Sequence, residues 1–140
     1  ILANVGKAAE KGIDVDLAEL QGWSALPSKM DEELLSSLFG NLISNSIEAL
    51  EKTQHGLIRI AMYDTTTERV LSVANNGPAI NVSLEVLCQL GYTTKADFHD
   101  HGIGMHLVQS IVESVGGHIE LDSDQEETSF TVYFTKEGDV

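Results

Sequence analysis

The segment from Asp31 to Lys52 constrains the fold more than any other part of this chain. Asp31 stands at an N-cap position, and the residues that follow predict an amphipathic helix over 34–52. Its apolar residues gather on one face of that helix: Leu35, Leu38, Phe39, Leu42, Ile43 and Leu50. A helix of this kind packs its apolar face against other elements, so the chain is expected to form a core.

Two asparagines give the same helix a second feature. Asn41 and Asn45 are four residues apart, and that spacing places both side chains on one face, away from the apolar residues. An amide oxygen suits hydrated Mg²⁺, which takes oxygen ligands and keeps several waters. For the segment by itself, the alternative is a solvated polar face that continues through Glu48 and Lys52.

The composition narrows the range of partners. The chain has 140 residues, 42% of them hydrophobic, which suits a single domain over residues 1–140 with a real core. A net charge of -14 argues against a nucleic-acid partner and against contact with an anionic membrane surface. A phosphate-bearing ligand could still bind locally, through backbone N–H groups, a lysine and a metal.

Other compositional features concern location. Cys88 is the only cysteine, so no internal disulfide is expected and the cytoplasm is the predicted compartment. No apolar run approaches the length of a membrane span. The chain begins at Ile1 without a start methionine, and we expect it to be a piece of a longer protein.

Periodicity along the chain predicts an α+β fold. Helices are expected over 1–12, 34–52, 82–90 and 103–115, and strands over 13–17, 57–63, 69–74, 118–121 and 129–134. Short turns join the second strand to the third and the fourth to the fifth, which predicts two hairpins. The expected architecture is a two-layer α/β sandwich, with a mixed, mostly antiparallel sheet and helices on one face.

Three further segments contain candidate binding residues. Gly102 and Gly104 open a helix, and a helix N-terminus offers unpaired N–H groups to a phosphate; a tight turn with close helix packing is the alternative. Asn75 to Ile80 follows a strand. This segment is either a plain turn, or its asparagine carboxamide hydrogen-bonds to the edge of a nucleotide base. Gly91 to Lys95 could be a lid that places Thr94 and Lys95 over phosphates, or a solvated loop.

Taken in order, these segments resemble the catalytic, ATP-binding domain of sensor histidine kinases, in the group that includes type II topoisomerase ATPases, Hsp90 and MutL. The resemblance covers about Ile13 to Phe134. Asn41 to Asn45 resembles the asparagine box, and Asn75 to Ile80 stands where an Asp-x-Gly-x-Gly turn is expected. Gly102 to Val108 resembles the second glycine box. Gly91 to Lys95 is similar to the lid entry of the citrate and dicarboxylate sensor branch.

The resemblance implies the Bergerat ATP-binding fold, with ATP and Mg²⁺ as ligands. It implies that Asn45 ligates Mg²⁺, that Asn41 supports the phosphates and that Asn75 accepts a hydrogen bond from the adenine amino group. The remaining residues that it implies in nucleotide binding are Gly77, Ile80, Thr94, Lys95, Gly102, Ile103, Gly104, Met105 and Thr128.

The resemblance also implies the reaction. Topoisomerase-type ATPases have a general-base glutamate where this chain has Asn41, and an amide cannot take a proton from water. Transfer of the γ-phosphate to a histidine is therefore expected rather than hydrolysis. No phosphoacceptor histidine is identified in this chain, so the acceptor is expected on the dimerisation domain of the same protein, with a response regulator as an indirect partner. The parent would be a membrane-anchored sensor with this domain in the cytoplasm.

Five positions depart from the family pattern. Asn75 replaces the adenine-binding aspartate, Ala79 and Asp100 replace glycines, and Glu127 replaces the glycine before Thr128. Leu87 stands at the position of the lid phenylalanine. We therefore expect weak or strongly Mg²⁺-dependent nucleotide binding. The alternative is a degenerate domain with a regulatory or docking role. A third option, an anti-sigma-type kinase that phosphorylates a serine on a partner, is disfavoured by the lid entry.

Overall fold

The computed structural model describes residues 2–89 and 101–136, and these residues form four helices and five strands. In chain order they are α1 (Leu2–Glu10), β1 (Asp14–Leu20), α2 (Glu32–Ala49), β2 (Leu57–Asp64), β3 (Glu68–Asn75), α3 (Leu84–Leu87), α4 (His101–Val115), β4 (His118–Ser123) and β5 (Thr128–Thr135). Helices and strands are mixed along the chain, as the α+β prediction requires.

The five strands form one sheet in the order β1-β2-β3-β5-β4. β1 is parallel to β2, and every other neighbouring pair is antiparallel. Both predicted hairpins, β2–β3 and β4–β5, are present. Because β5 lies between β3 and β4, Thr128 at its start is paired with Asn75 at the end of β3. The prediction of a mixed, mostly antiparallel sheet is confirmed.

One face of the sheet and the helices share a single hydrophobic core. Burial alternates along β5, where Phe130, Val132 and Phe134 are buried. The same alternation on β2 buries Ile58 and Ile60. Apolar side chains of α2 and α4 belong to the same cluster, so both helices cover this face of the sheet.

Asp31 is the N-cap of α2, as predicted, and the helix begins at Glu32, two residues before the predicted start at 34. The side chain of Asp31 accepts a hydrogen bond of 2.7 Å from the backbone N–H of Leu34, which satisfies one of the free donors of the first turn. The helix ends at Ala49, three residues before the predicted end, and Leu50 is its C-cap. The Asn-bearing part of the predicted helix lies wholly within α2.

The first strand differs from its prediction. β1 extends to Leu20, whereas the alternating pattern predicted a strand over 13–17. Its register with β2 shifts between Asp16 and Glu19, so the two-residue alternation is interrupted. Leu17 is consequently 37% exposed, and Leu20 packs against the core instead.

The helices on either side of the undescribed segment also differ from their predictions. α3 covers only Leu84–Leu87, although a helix over 82–90 was predicted, and Ser83 caps it by accepting a hydrogen bond from Val86 N–H. α4 begins at His101, before the predicted start at 103. Within the described ranges, no helix has both the length and the apolar content needed to cross a membrane.

The face of the sheet opposite the helices is polar. A shallow depression of about 250 Å³ lies there, and its lining includes Asp16, Glu19, Arg59 and Glu127. Arg59 and Glu127 form an exposed ion pair with 3.7 Å between Nη1 and Oε2. Three carboxylates against one guanidinium make this depression unfavourable for a phosphate group.

Candidate functional site

Asn41 on α2 faces the first turn of α4. Its Nδ2 donates a hydrogen bond of 2.7 Å to the carbonyl of Ser37, which fixes the carboxamide. A Cβ atom placed on Gly104 would lie 3.5 Å from Asn41 Oδ1. The amide oxygen of α2 is therefore directed at the glycine-containing start of α4, and any side chain at 104 would narrow the gap between the two helices.

Asn45 lies one turn further along α2 and is half-buried. Its carboxamide has no hydrogen-bond partner among the residues that the structure describes. Those residues also contain no group of three or more His, Cys, Asp or Glu side chains that could hold a metal ion. A neutral amide oxygen fits Mg²⁺ that keeps most of its water ligands.

The start of α4 offers backbone donors. Gly102, Ile103 and Gly104 belong to its first turn, where helix N–H groups have no intrahelical acceptor. The Met105 side chain is buried in the core, so this residue could contact a ligand only through its backbone. Thr94 and Lys95, the predicted lid residues, lie outside the described residues.

Three polar side chains are buried in the described part of the chain, and all three meet at the end of β3. Ser46, Asn75 and Thr128 are each at most 2% exposed. Asn75 pairs with Thr128 across the sheet, and its Nδ2 lies 3.5 Å from Ser46 Oγ. Polar groups are costly to bury, so their concentration at one point of an apolar core is typical of a binding site. We call Ser46, Asn75 and Thr128 the polar floor.

A tight turn follows the polar floor. Asn75 Oδ1 accepts a hydrogen bond of 2.9 Å from Gly77 N–H. A Cβ atom on Gly77 would lie 2.8 Å from the backbone oxygen of Ala49 and 3.0 Å from Asn75 Oδ1. The turn therefore packs directly against the end of α2, and only glycine fits there without a backbone shift.

Ser123 belongs to this region although the sequence analysis did not identify it. Its Oγ accepts a hydrogen bond of 2.8 Å from Ile80 N–H and lies 2.6 Å from Thr128 Oγ1. The hydroxyl thus ties the segment after β3 to the polar floor. Ser123 and Thr128 are paired across the β4–β5 hairpin. The register of this hairpin is therefore the sequence feature from which the position of Ser123 could be predicted. Ser46 was also missed, although a serine within the core-facing pattern of α2 was visible.

Glu127 does not place its charge in this region. Its side chain pairs with Arg59 on the opposite face of the sheet, as strand alternation requires when Thr128 is buried. Ala79, the second departure from the family pattern, is half-buried. Asp100, the third, lies outside the described residues.

The contact between α3 and α4 closes one side of the core. His106 Nδ1 lies 3.3 Å from the carbonyl of Cys88, which is the C-cap residue of α3. Burial, with a smaller contribution from Glu113, raises the pKa of the Cys88 thiol to about 11. This thiol is therefore neutral at physiological pH and acts as a packing group.

The chain has relatives of known type. The family model described as "Histidine kinase-, DNA gyrase B-, and HSP90-like ATPase" matches residues 30–138. The chain is 30% identical over 141 residues to the sensor histidine kinase DpiB of Escherichia coli (strain K12), covering 97% of this chain and 26% of that protein. It is 31% identical over 128 residues to the sensor protein CitS of Halalkalibacterium halodurans, covering 89% of this chain and 24% of that protein.

A solved structure agrees with these relatives. The catalytic domain of histidine kinase ThkA superimposes with a TM-score of 0.75 at 25% identity, covering 96% of this chain and 86% of that one. The chain spans about a quarter of the length of the curated relatives named above. These matches confirm the predicted resemblance and fold, and they give no support to a degenerate docking domain. The chain belongs to the family of histidine kinase-, DNA gyrase B- and HSP90-like ATPases.

Proposed function

We propose that this chain is the catalytic, ATP-binding domain of a sensor histidine kinase and that Mg²⁺-ATP binds between α2 and the first turn of α4. The observation that carries the proposal is the position of Asn41 Oδ1, which would lie 3.5 Å from a Cβ atom on Gly104. At this position, the face of α2 that carries the amides lies opposite the N-terminus of α4, whose free N–H groups can bind phosphate. The kinase relatives support the choice of reaction.

Charge explains why the metal matters. The chain has a net charge of -14, so its overall field repels a free triphosphate. Asn45 would hold the Mg²⁺ through its amide oxygen, and bound Mg²⁺ neutralises phosphate charge during transfer. We therefore infer that nucleotide binding depends strongly on Mg²⁺.

Asn41 defines what the site does with the phosphate. A carboxamide has no basic group with which to deprotonate a water molecule, so this position cannot activate water for hydrolysis. Its Oδ1 faces Gly104, and the N–H groups of Gly102 and Gly104 would hold the phosphates. Thr94 and Lys95 would approach from the other side. This chain would thus position the γ-phosphate for a nucleophile that another domain supplies.

The polar floor would receive the base. Asn75 Oδ1 keeps a second acceptor site beside the one used by Gly77 N–H, and the adenine amino group would donate to it. Ile80 would form a wall of the pocket, and its N–H is already bonded to Ser123. Thr128 would close the pocket beside Asn75.

The partners follow from the reaction. We infer that the phosphoacceptor histidine lies on the dimerisation domain of the same protein and that a response regulator receives the phosphoryl group afterwards. The relatives are about four times longer than this chain, which leaves room for such domains. We also infer that this domain works in the cytoplasm as part of a membrane-anchored sensor.

A calorimetric titration tests the proposal. The chain is titrated with ATP, with and without Mg²⁺, and compared with Asn45→Ala and with Ser36→Ala. Ser36 is exposed on α2, half a turn away from the face of Asn45, and is the matched control. We expect wild type and Ser36→Ala to bind Mg²⁺-ATP alike, and Asn45→Ala to lose about tenfold in affinity only when Mg²⁺ is present.

Two results would contradict the proposal. Absence of binding at about 1 mM Mg²⁺-ATP would overturn nucleotide binding itself, because that concentration still detects a binding free energy of only about 4 kcal/mol. If Asn45→Ala loses the same ATP affinity with and without Mg²⁺, Asn45 does not bind the metal and has only a packing role.

A further inference from the structure

The polar floor contains no charged side chain. Ser46, Asn75 and Thr128 are the buried polar side chains of the described residues, and each of them has both a donor and an acceptor group. An acceptor-only carboxylate at this point would select a ligand that donates. The neutral polar floor can bind a ligand group that donates a hydrogen bond or one that accepts it.

The carboxamide of Asn75 is held in one orientation. Its Oδ1 accepts the Gly77 N–H at 2.9 Å, and rotating the amide would place Nδ2 opposite that same donor. Nδ2 lies at 3.5 Å from Ser46 Oγ. An amide oxygen has two acceptor sites and an amide nitrogen has two hydrogens. One acceptor site and one N–H therefore remain for a ligand without any rotation.

The purines differ in the direction of their hydrogen bonds. Adenine presents a 6-amino donor beside the N1 acceptor, whereas hypoxanthine presents a 6-oxo acceptor beside an N1–H donor. A carboxylate would oppose the 6-oxo group with a second acceptor, and the unpaired groups would weaken binding. Asn75 can accept from the first base through Oδ1 and donate to the second through Nδ2.

The hydroxyl groups of Thr128, in the polar floor, and of Ser123, next to it, can adjust to either base. Ser123 Oγ accepts the Ile80 N–H and lies 2.6 Å from Thr128 Oγ1, and either hydroxyl of that pair can be the donor. When Ser123 donates, the proton of Thr128 is free to bond an acceptor. When Thr128 donates, its oxygen keeps an acceptor site for a ligand N–H.

We propose that Asn75 makes this pocket accept 6-oxopurine as well as 6-aminopurine nucleoside triphosphates, because its buried carboxamide presents a free acceptor and a free donor beside two reorientable hydroxyls. The inference rests on the proposed function, since it assumes that the base lies on the polar floor. Asn75 is then the residue that sets base selectivity.

Competition binding with three Mg²⁺ nucleotides tests this inference. ATP, inosine triphosphate and purine riboside triphosphate are measured against wild type and against Asn75→Asp, which has nearly the same shape. We expect wild type to bind inosine triphosphate within about tenfold of ATP. Purine riboside triphosphate lacks the 6-substituent, and we expect its affinity to be at least about fivefold lower than that of ATP. Asn75→Asp is expected to shift the preference towards ATP by about tenfold or more.

Each contrary outcome has a distinct meaning. If wild type binds ATP but binds inosine triphosphate more than about a hundredfold more weakly, the inference is overturned and the proposed function stands. Equal binding of ATP and purine riboside triphosphate also overturns it, because the 6-position is then not read. Binding of no nucleotide overturns the proposed function and the inference together. The wild-type comparison decides the matter even if Asn75→Asp fails to fold.

Discussion

Gly104→Ala is expected to raise stability and lower nucleotide affinity at the same time. Among the described residues, a Cβ atom at this position meets only Asn41 Oδ1, at the ordinary contact distance of 3.5 Å, so the substitution clashes with none of them. Replacing a helical glycine by alanine gains about 0.5–1 kcal/mol. For a chain of this size the melting temperature should rise by about 2–4 °C.

The same methyl group would occupy the gap between α2 and the first turn of α4. It would keep a phosphate away from the N–H groups of that turn, and a lost hydrogen bond to a charged group costs about 1.5–3 kcal/mol. The affinity for Mg²⁺-ATP should therefore fall at least about tenfold. Thermal unfolding and calorimetric titration of the same samples measure both effects.

Gly6→Ala is the matched control for this experiment. Gly6 lies within α1, and a Cβ atom there would have no neighbour within 4 Å in the part of the chain that the structure describes. It should gain similar stability without a change in affinity. Wild-type affinity in Gly104→Ala would refute the placement of phosphate at this gap, and a lower melting temperature would refute the steric argument.

Three other predictions follow from local contacts. Gly77→Ala should destabilise the fold by about 1–3 kcal/mol in urea unfolding, because its Cβ atom would lie 2.8 Å from the backbone oxygen of Ala49; unchanged stability would show that the turn can move. Hydrogen bonds from the Ser24 side chain and backbone hold the pKa of Asp64 below its ordinary value of 3.8. The ionised Asp64 carboxylate therefore stabilises the fold fully above pH 3.8, and this stabilisation is lost as the pH falls through the lower pKa that Asp64 has in the folded chain. Asp64→Asn should therefore flatten the acid limb of the stability–pH curve, and an unchanged limb would contradict this assignment. Because burial raises the pKa of Cys88 from 9.0 to about 11, its reaction with a thiol reagent at pH 8 should be about a hundredfold slower in the folded chain than in urea, and equal rates would mean that the thiol is exposed.

The parts of the fold with local sequence signals were predicted well. The Asp31 cap and the helical spacing of apolar residues identified α2, and the short turns identified both hairpins. The course of β1 was not predictable in the same way. Its register shift and the exposure of Leu17 arise from pairing with β2, a strand distant in sequence, and a two-residue alternation carries no signal for such a shift.

The site shows the same division. Helical periodicity alone puts Asn41 and Asn45 on one face, so the sequence predicted their shared direction. The approach of Asn41 to Gly104 depends on how α2 packs against α4, which a single sequence does not determine. Ser123 enters the site only through the register of β4 with β5. Strand alternation predicts that Glu127 points away from the core when its neighbour Thr128 is buried.

The most direct test of the account is to locate the bound metal with Mn²⁺ in place of Mg²⁺. In a substoichiometric NMR titration with Mn²⁺ and ATP, backbone amide signals broaden in order of their distance from the paramagnetic ion. We expect the amide signals of Asn41, Asn45 and Gly104 to broaden first and those of Arg59 and Glu127, on the opposite face of the sheet, to broaden last. Broadening that starts on the opposite face, or that is the same without ATP, would contradict it.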